Sequence, residues 1–336
     1  MVKIAINGFG RIGRNILRAF YEAPHYKSSI QIVAINDLSS IEHATHLLKY
    51  DSVHKAFDRN LTINDGNICI NNHKIKYYSI KDAAQLPWKE LDIDIVFDCT
   101  GKYTKKETAL AHVQAGAKKV IISAPCDGAD KTIVWGVNEK TLTKDDIVIS
   151  NASCTTNCLA PVAAIIHNEF GIESGFMTTI HSYTGDQRLI DTDHSDLYRA
   201  RAAALSMIPS KTGAAKAIGL IIPELQGKIN GLAVRVPTPN VSLVDFTCNV
   251  SKKTSKDEVN AVFKKAVSEK VFNGVLGYNE EHLVSVDFNH NSKSSIFDST
   301  QTFVQDNMIK VFAWYDNEWG FSNRMLDLAI SVKNSK

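Results

Sequence analysis

The sequence predicts an α/β protein of two domains: a parallel-sheet domain built from βαβ units, then an α+β domain with a mixed, largely antiparallel sheet. Three observations predict it. Short β-rich runs alternate with helical patterns through the first 150 residues, a glycine-rich turn follows the first of those runs directly, and the character of the chain changes after Ser150. Alternation of this kind implies parallel strands joined by right-handed crossovers.

The first strand is Val2–Asn7, with a helix from Arg11; Ile30–Asn36 and a helix near Ile41–Lys49 repeat the unit. Asp94–Asp98, a helix over Lys105–Ala115 and a strand over Val120–Ser123 continue it. The polar runs Asn64-Asp65-Gly66-Asn67 and Asn71-Asn72 carry turn signals and predict antiparallel hairpins inserted among these units. After Ser150 an apolar helical stretch follows Cys154, a β-like run spans Phe176–Ile180, and long strand-like segments appear at Gly231–Val236 and Ser242–Val250. Between His181 and Lys211 lies a stretch rich in Asp, Arg, Ser and Thr without clear periodicity, too long for an idle connection, which predicts a functional or interface loop.

A chain of 336 residues exceeds the size at which single cores stop growing, so two domains are expected. With 44% hydrophobic and 22% charged residues, disorder is excluded as the main state. Lys+Arg of 38 against Asp+Glu of 36 gives +2, so no global field points to nucleic acid or a membrane as main partner, and any anion must be bound locally. The opening MVKIAINGFG shows no charged leader and no run of about 18 apolar residues occurs, so a cytoplasmic protein is expected. Cys69, Cys99, Cys126, Cys154, Cys158 and Cys248 are spread widely, which fits free thiols rather than a disulfide framework.

Gly8-Phe9-Gly10-Arg11-Ile12-Gly13 fits G-x-G-x-x-G after a strand and at the start of a helix. The first glycine permits the tight turn, the second lets backbone approach a pyrophosphate, the third allows helix and strand to pack closely, and the helix N-terminus offers N–H groups to phosphates. Asp37 ends the second strand, where a carboxylate would accept from an adenosine ribose and repel a 2′-phosphate, favouring NAD over NADP. A glycine turn with a solvated Asp37 is the plainer alternative.

Asn151-Ala152-Ser153-Cys154-Thr155-Thr156-Asn157-Cys158 places Cys154 near a helix N-terminus, where the dipole favours thiolate. A cysteine taken alone is as readily a small buried hydrophobe, and Cys158, one turn on, is expected to pack inside. His181 follows the β-like run, and spacing alone does not distinguish a base from a structural histidine.

Taken together, INGFGRIGR (Ile6–Arg14), SNASCTTNCLAP (Ser150–Pro161), TTIHSYTGDQ (Thr178–Gln187), RARAAALSMIPSKTGAAKA (Arg199–Ala217), AVRVPTPNVS (Ala233–Ser242) and WYDNEWGFSNRM (Trp314–Met325) resemble the phosphorylating glyceraldehyde-3-phosphate dehydrogenases nearly end to end. The resemblance implies that Cys154 is the nucleophile and His181 its base. The aldehyde would form a thiohemiacetal on Cys154, lose hydride to NAD, and leave as 1,3-bisphosphoglycerate when inorganic phosphate cleaves the thioester. By the same resemblance Ser153, Thr155, Thr212 and Gly213 line the attacking-phosphate site, Thr184 and Arg235 hold the substrate phosphate, and Arg199 lies close to both anions.

For the cofactor it implies Gly8, Gly10, Arg11 and Ile12 at the pyrophosphate, Asp37 at the ribose, Lys81 near the adenine, Thr100, Gly101 and Ser123 at strand ends, and Asn317 at the nicotinamide carboxamide. The sequence departs from the usual pattern at three positions. Lys81 stands where many members carry Arg, Phe321 where many carry Tyr, and Asp193 where NAD-using bacterial members often have proline. The implied architecture is a Rossmann domain over residues 1–150, a catalytic domain over 151–316, and a C-terminal helix over 317–336 that completes the first. The family is homotetrameric, which would put the Ser182–Leu205 loop at a subunit interface. Two rivals are an erythrose-4-phosphate dehydrogenase and an NAD-fold protein serving binding or interaction; Thr184 and the Thr212-Gly213 pair match the phosphate-using pattern.

Overall fold

A computed structural model describes residues 1–335. Residues Met1–Ile133, Glu139–Ala152 and those from Ser322 on form one compact unit; Val134–Asn138 and Ser153–Phe321 form another.

The first unit runs β1 (Val2–Asn7), α1 (Arg11–Glu22), β2 (Ile30–Asn36), α2 (Ile41–Lys49), β3 (Leu61–Asn64), β4 (Asn67–Ile70), β5 (His73–Tyr78), β6 (Ile95–Asp98), α3 (Lys106–Ala109), α4 (Ala111–Gln114), β7 (Lys119–Ile122), β8 (Lys131–Thr132) and β9 (Val148–Ser150). Its sheet has the order β3-β4-β5-β2-β1-β6-β7-β9-β8. From β5 to β9 neighbours are parallel, as the alternation predicted. Both faces of such a sheet are covered, and all four residues of β6 are accordingly buried. Ala5, Ala34, Trp88, Val96, Val120 and Val148 belong to its core. The two expected hairpins are present, turning through Asp65 and Gly66 at φ 48° and 69° and through Asn71 at φ 52°. The helix expected over Lys105–Ala115 is interrupted at Leu110, whose ψ of −15° flattens the turn and divides it into α3 and α4.

The second unit runs α5 (Cys154–Phe170), β10 (Ile172–Ser182), β11 (Ile208–Ser210), α6 (Ala214–Ile221), β12 (Ile229–Val236), β13 (Ser242–Val250), α7 (Lys256–Ala266), β14 (Leu276–Asn279), β15 (Ser295–Gln305) and β16 (Met308–Tyr315), and its last residues open α8 (Trp319–Asn334). Its sheet has the order β11-β12-β10-β13-β16-β15-β14. Only β10/β12 and β14/β15 are parallel, so the mixed, largely antiparallel expectation is borne out. The strand expected to stop at Ile180 continues through Ser182, because His181 pairs with Arg235 and Ser182 with Val236. The C-terminal helix begins at Trp319 rather than Asn317: Asp316 Oδ1 accepts from the N–H groups of Glu318 and Trp319 and caps the helix there. No helix or strand occupies 183–207, where the only ladder contact among the described residues is a bridge between Arg188 and Ala202.

Candidate active site

In the first unit the glycine turn is built on close approach. Gly8 has φ +89°, and a Cβ there would come within 2.8 Å of the Cys99 carbonyl carbon and the Thr100 nitrogen. A Cβ on Gly13 would fall 2.2 Å from the Gly8 oxygen, so α1 packs this closely on the turn after β1 only because residue 13 is glycine. Gly10 is the N-cap of α1 and has no side-chain cap, which leaves that terminus to an outside acceptor. Asp37 Oδ2 accepts from Phe9 N–H at 2.7 Å, while Oδ1 accepts from the Ser39 N–H and hydroxyl at 2.9 and 2.6 Å. Burial would push this carboxyl up, but the Ser39 and Phe9 hydrogen bonds and the Arg14 charge outweigh it and hold it below the usual carboxylate range.

Gly8, Gly10, Asp37 and Thr100 come together around a cavity of about 290 Å³. Arg11, Ile12, Lys81, Gly101 and Ser123 are not among the residues that line it. Arg11 instead pairs with Asp51 through Nη1 and Nη2, at 2.8 and 3.2 Å. Lys81 and Gly101 are exposed. This cradle, with its uncapped helix and anionic carboxylate at the second strand end, fits a dinucleotide.

In the second unit Ser153 caps α5, its Oγ accepting from Thr156 N–H at 3.0 Å, and Cys154 is the first helical residue. Ala152 before it takes φ 56°, a conformation that L residues adopt at a cost, so the chain turns sharply to deliver the cysteine. Cys154 Sγ lies 3.5 Å from His181 Nε2. His181 Nδ1–H donates to the Ser182 carbonyl oxygen at 2.7 Å, which leaves Nε2 free to accept, and the β10/β12 register sets Arg235 alongside, its Nη1 donating to the same oxygen at 3.0 Å and lying 2.9 Å from Nδ1. Thr155 Oγ1, Tyr315 OH and Thr179 Oγ1 follow one another at 2.8 Å steps, and the Tyr315 ring stands edge-on to His181.

Burial pushes the Cys154 thiol up, against the helix-terminus expectation of a ready thiolate, while Arg235 and the Thr155 hydroxyl and N–H pull it down. Burial, followed by the Arg235 charge, holds His181 down at about 3. His181 is therefore a neutral imidazole at ordinary pH, able to take a proton. Transfer of the thiol proton to Nε2 sets a thiolate beside an imidazolium at 3.5 Å, and that attraction opposes the burial cost. Cys158 lies inside as expected, donating to Ser295 Oγ and the Ala313 oxygen, and all six cysteines are free.

Other site candidates are engaged locally. Arg199 pairs with Asp186 and Asp196 and donates to Ser210 Oγ at 3.0 Å. Thr212 Oγ1 accepts from Ala214 N–H at 3.2 Å, and Gly213 is the N-cap of α6. Among the described residues no hydrogen bond ties Thr184, Thr212 or Gly213 to Cys154 or His181. Asn317 Oδ1 accepts from Ser242 Oγ at 2.8 Å. Tyr315 and Asp186, which carried no assigned role, both touch these residues; the inward position of Tyr315 in the alternating burial of β16 was the available signal.

Residues 2–106 match the family model described as glyceraldehyde 3-phosphate dehydrogenase, NAD binding domain, and 153–317 match that of the C-terminal domain. The chain belongs to the glyceraldehyde-3-phosphate dehydrogenase family. It is 55% identical to glyceraldehyde-3-phosphate dehydrogenase of Cereibacter sphaeroides over 98% of both chains. The enzymes of Pseudomonas aeruginosa and Geobacillus stearothermophilus are 55% and 53% identical, again over 98% of both chains. Of the three positions expected to depart from the usual pattern, Lys81 is exposed, Phe321 is buried, and Asp193 is exposed with its carbonyl accepting from Arg188 Nε at 2.8 Å.

Proposed function

We propose that this chain oxidises D-glyceraldehyde 3-phosphate in the presence of inorganic phosphate to 1,3-bisphosphoglycerate. The observation that carries the reading is the Cys154 Sγ to His181 Nε2 approach of 3.5 Å at the head of α5, with Arg235 alongside. Cys154 attacks the aldehyde carbon as its proton passes to His181 Nε2, giving a thiohemiacetal. His181 returns that proton to the oxyanion and takes the hydroxyl proton back as the carbon is oxidised to a thioester. NAD, when bound, supplies the hydride acceptor for that oxidation. An inorganic phosphate oxygen then attacks the thioester carbonyl, the carbon–sulfur bond breaks, and Cys154 leaves as thiolate.

Arg235 and Thr184 hold the substrate phosphate, while Ser153, Thr155, Thr212 and Gly213 receive the attacking one near Arg199, since hydroxyls, N–H groups and guanidinium are the donors that phosphate oxygens require. Gly8, Gly10, Arg11 and Ile12 receive the pyrophosphate, Asp37 the ribose, Lys81 the adenine side, Thr100, Gly101 and Ser123 the strand-end contacts, and Asn317 the carboxamide. Residues 1–150, completed by the C-terminal segment 317–336, are the NAD-binding domain and 151–316 the catalytic domain. Leu189, Ile190, Leu197, Leu205 and Met207 are each more than 70% exposed, an apolar surface that suits burial by further copies in a homotetramer. Among the described residues no helix is long and apolar enough to cross a membrane, in keeping with the proposed cytoplasmic location.

NADH formation followed at 340 nm tests the reaction: it is expected to be strong with glyceraldehyde 3-phosphate and to require inorganic phosphate. Turnover of erythrose 4-phosphate without phosphate would favour the hydrolytic rival, and no turnover of either would favour a binding role.

Asp37→Ala is expected to raise KM for NAD, since Phe9 N–H and the ribose both lose an acceptor, and to narrow the NAD over NADP preference in kcat/KM by about tenfold, as repulsion of the 2′-phosphate is relieved. A wild-type protein that uses both cofactors equally well would remove Asp37 from this role.

A further inference from the structure

Beneath the cavity in the first unit lies a line of polar side chains that the proposed chemistry does not use. Trp88 and His112 are fully buried, and Asp98, Asn7 and Asn36 nearly so. Their hydrogen atoms follow from one fixed point. An indole N–H can only donate, so Trp88 Nε1, 3.1 Å from His112 Nδ1, makes that nitrogen an acceptor and leaves the proton of the neutral ring on Nε2. Nε2–H then donates to Asp98 Oδ2 at 3.2 Å.

The same oxygen accepts from Asn7 Nδ2 at 2.7 Å, and the 3.3 Å approach of Asn7 Nδ2 to His112 Nε2 is that of two donors sharing one acceptor. Asn7 Oδ1 in turn accepts from Asn36 Nδ2 at 2.8 Å, and Asn36 closes the line by donating to the Ile80 carbonyl and accepting from the Ile80 N–H. On the other side Asp98 Oδ1 accepts from the N–H and hydroxyl of Thr100 at 3.2 and 2.8 Å, and that hydroxyl accepts from Lys102 N–H.

The consequence is mechanical and directional. Asn7, Asn36 and Asp98 end the adjacent strands β1, β2 and β6, and the side chains of one carboxylate hub fix all three ends together. Asn7, Asn36, Thr100 and Lys102 line the cavity, and Gly8 rests against the Thr100 nitrogen with no room for a Cβ. The groups in the line are joined donor to acceptor, so a change at the far end leaves an unmet group that the lining residues must absorb.

We propose that His112 is a positioning residue of the dinucleotide site: held in one tautomer by Trp88, it orients Asp98 and through it Asn7 and Thr100, so that the floor of the cavity is set before the cofactor arrives. This rests on the reading of the first unit as the NAD site.

The test measures NAD affinity by titration calorimetry alongside steady-state kinetics of the full protein. His112→Leu is expected to raise the Kd and KM for NAD about tenfold or more, with the loss in KM rather than kcat. His112→Gln keeps a donor toward Asp98 and is expected to recover most of the affinity. Trp88→Phe frees the tautomer and is expected to weaken binding in the same direction by about threefold, a second variant that keeps the question open to test if His112→Leu fails to fold. Folded variants that bind NAD as the wild type does would overturn the proposal, as would equal losses in the Leu and Gln variants or a loss confined to kcat. A wild-type protein that itself binds no NAD would overturn the underlying reading instead.

Discussion

Replacing Cys154 with Ser is expected to lower kcat for oxidation of glyceraldehyde 3-phosphate by a factor on the order of 10⁴ to 10⁶, the range in which loss of a covalent nucleophile falls, while leaving NAD affinity within about twofold. The sulfur at the head of α5 lies 3.5 Å from His181 Nε2, and a serine hydroxyl ionises far less readily than a thiol in the same buried setting. Steady-state rates, with acyl-enzyme trapping by mass spectrometry, give the answer. Substantial turnover by the Ser variant would exclude a thioester intermediate.

His181→Asn is expected to reduce kcat by about 10² to 10⁴, because proton removal from both the thiol and the thiohemiacetal loses its acceptor. It should also move the alkylation profile of Cys154 to higher pH, since the thiolate loses the imidazolium that would face it across 3.5 Å while the burial that raises its pKa remains. Iodoacetamide labelling across a pH series reads this directly, with Cys158 as the internal control, because that thiol is fully buried and burial pushes it up. A profile unchanged from wild type would assign activation of Cys154 to Arg235 and the Thr155 donors alone.

The parallel sheet of the first unit was legible because its strands are buried on both faces and read as short apolar runs, and the glycine turn because Gly8 and Gly13 have no tolerated substitute in the space available. Cys154 could be placed near a helix start because an apolar helical stretch follows it, and the structure adds Ser153 as the cap of that helix. What local pattern could not supply was the meeting of distant residues. Nothing near His181 in the sequence indicates that Arg235 stands beside it, since that depends on the register of β10 against β12. Tyr315 is joined to Thr155 across 160 positions, and Trp88 to His112 inside a core where a histidine reads as one more buried ring. The raised thiol of Cys154 was illegible for the same reason: the helix end is written locally, but the burial comes from the packed fold.

The parallel pairing of β10 with β12 also bears on how the chain acquires its activity. Residues 183–228 separate these strands, so the ladder that brings His181 to Arg235 closes a long loop, whereas Cys154 and the helix it opens are local. A nascent or refolding chain can therefore hold a well-formed α5 with its cysteine in place and still lack the base and the guanidinium. Catalytic competence is a property of the completed sheet, and recovery of enzyme turnover reports on non-local strand pairing in the second unit rather than on its helices.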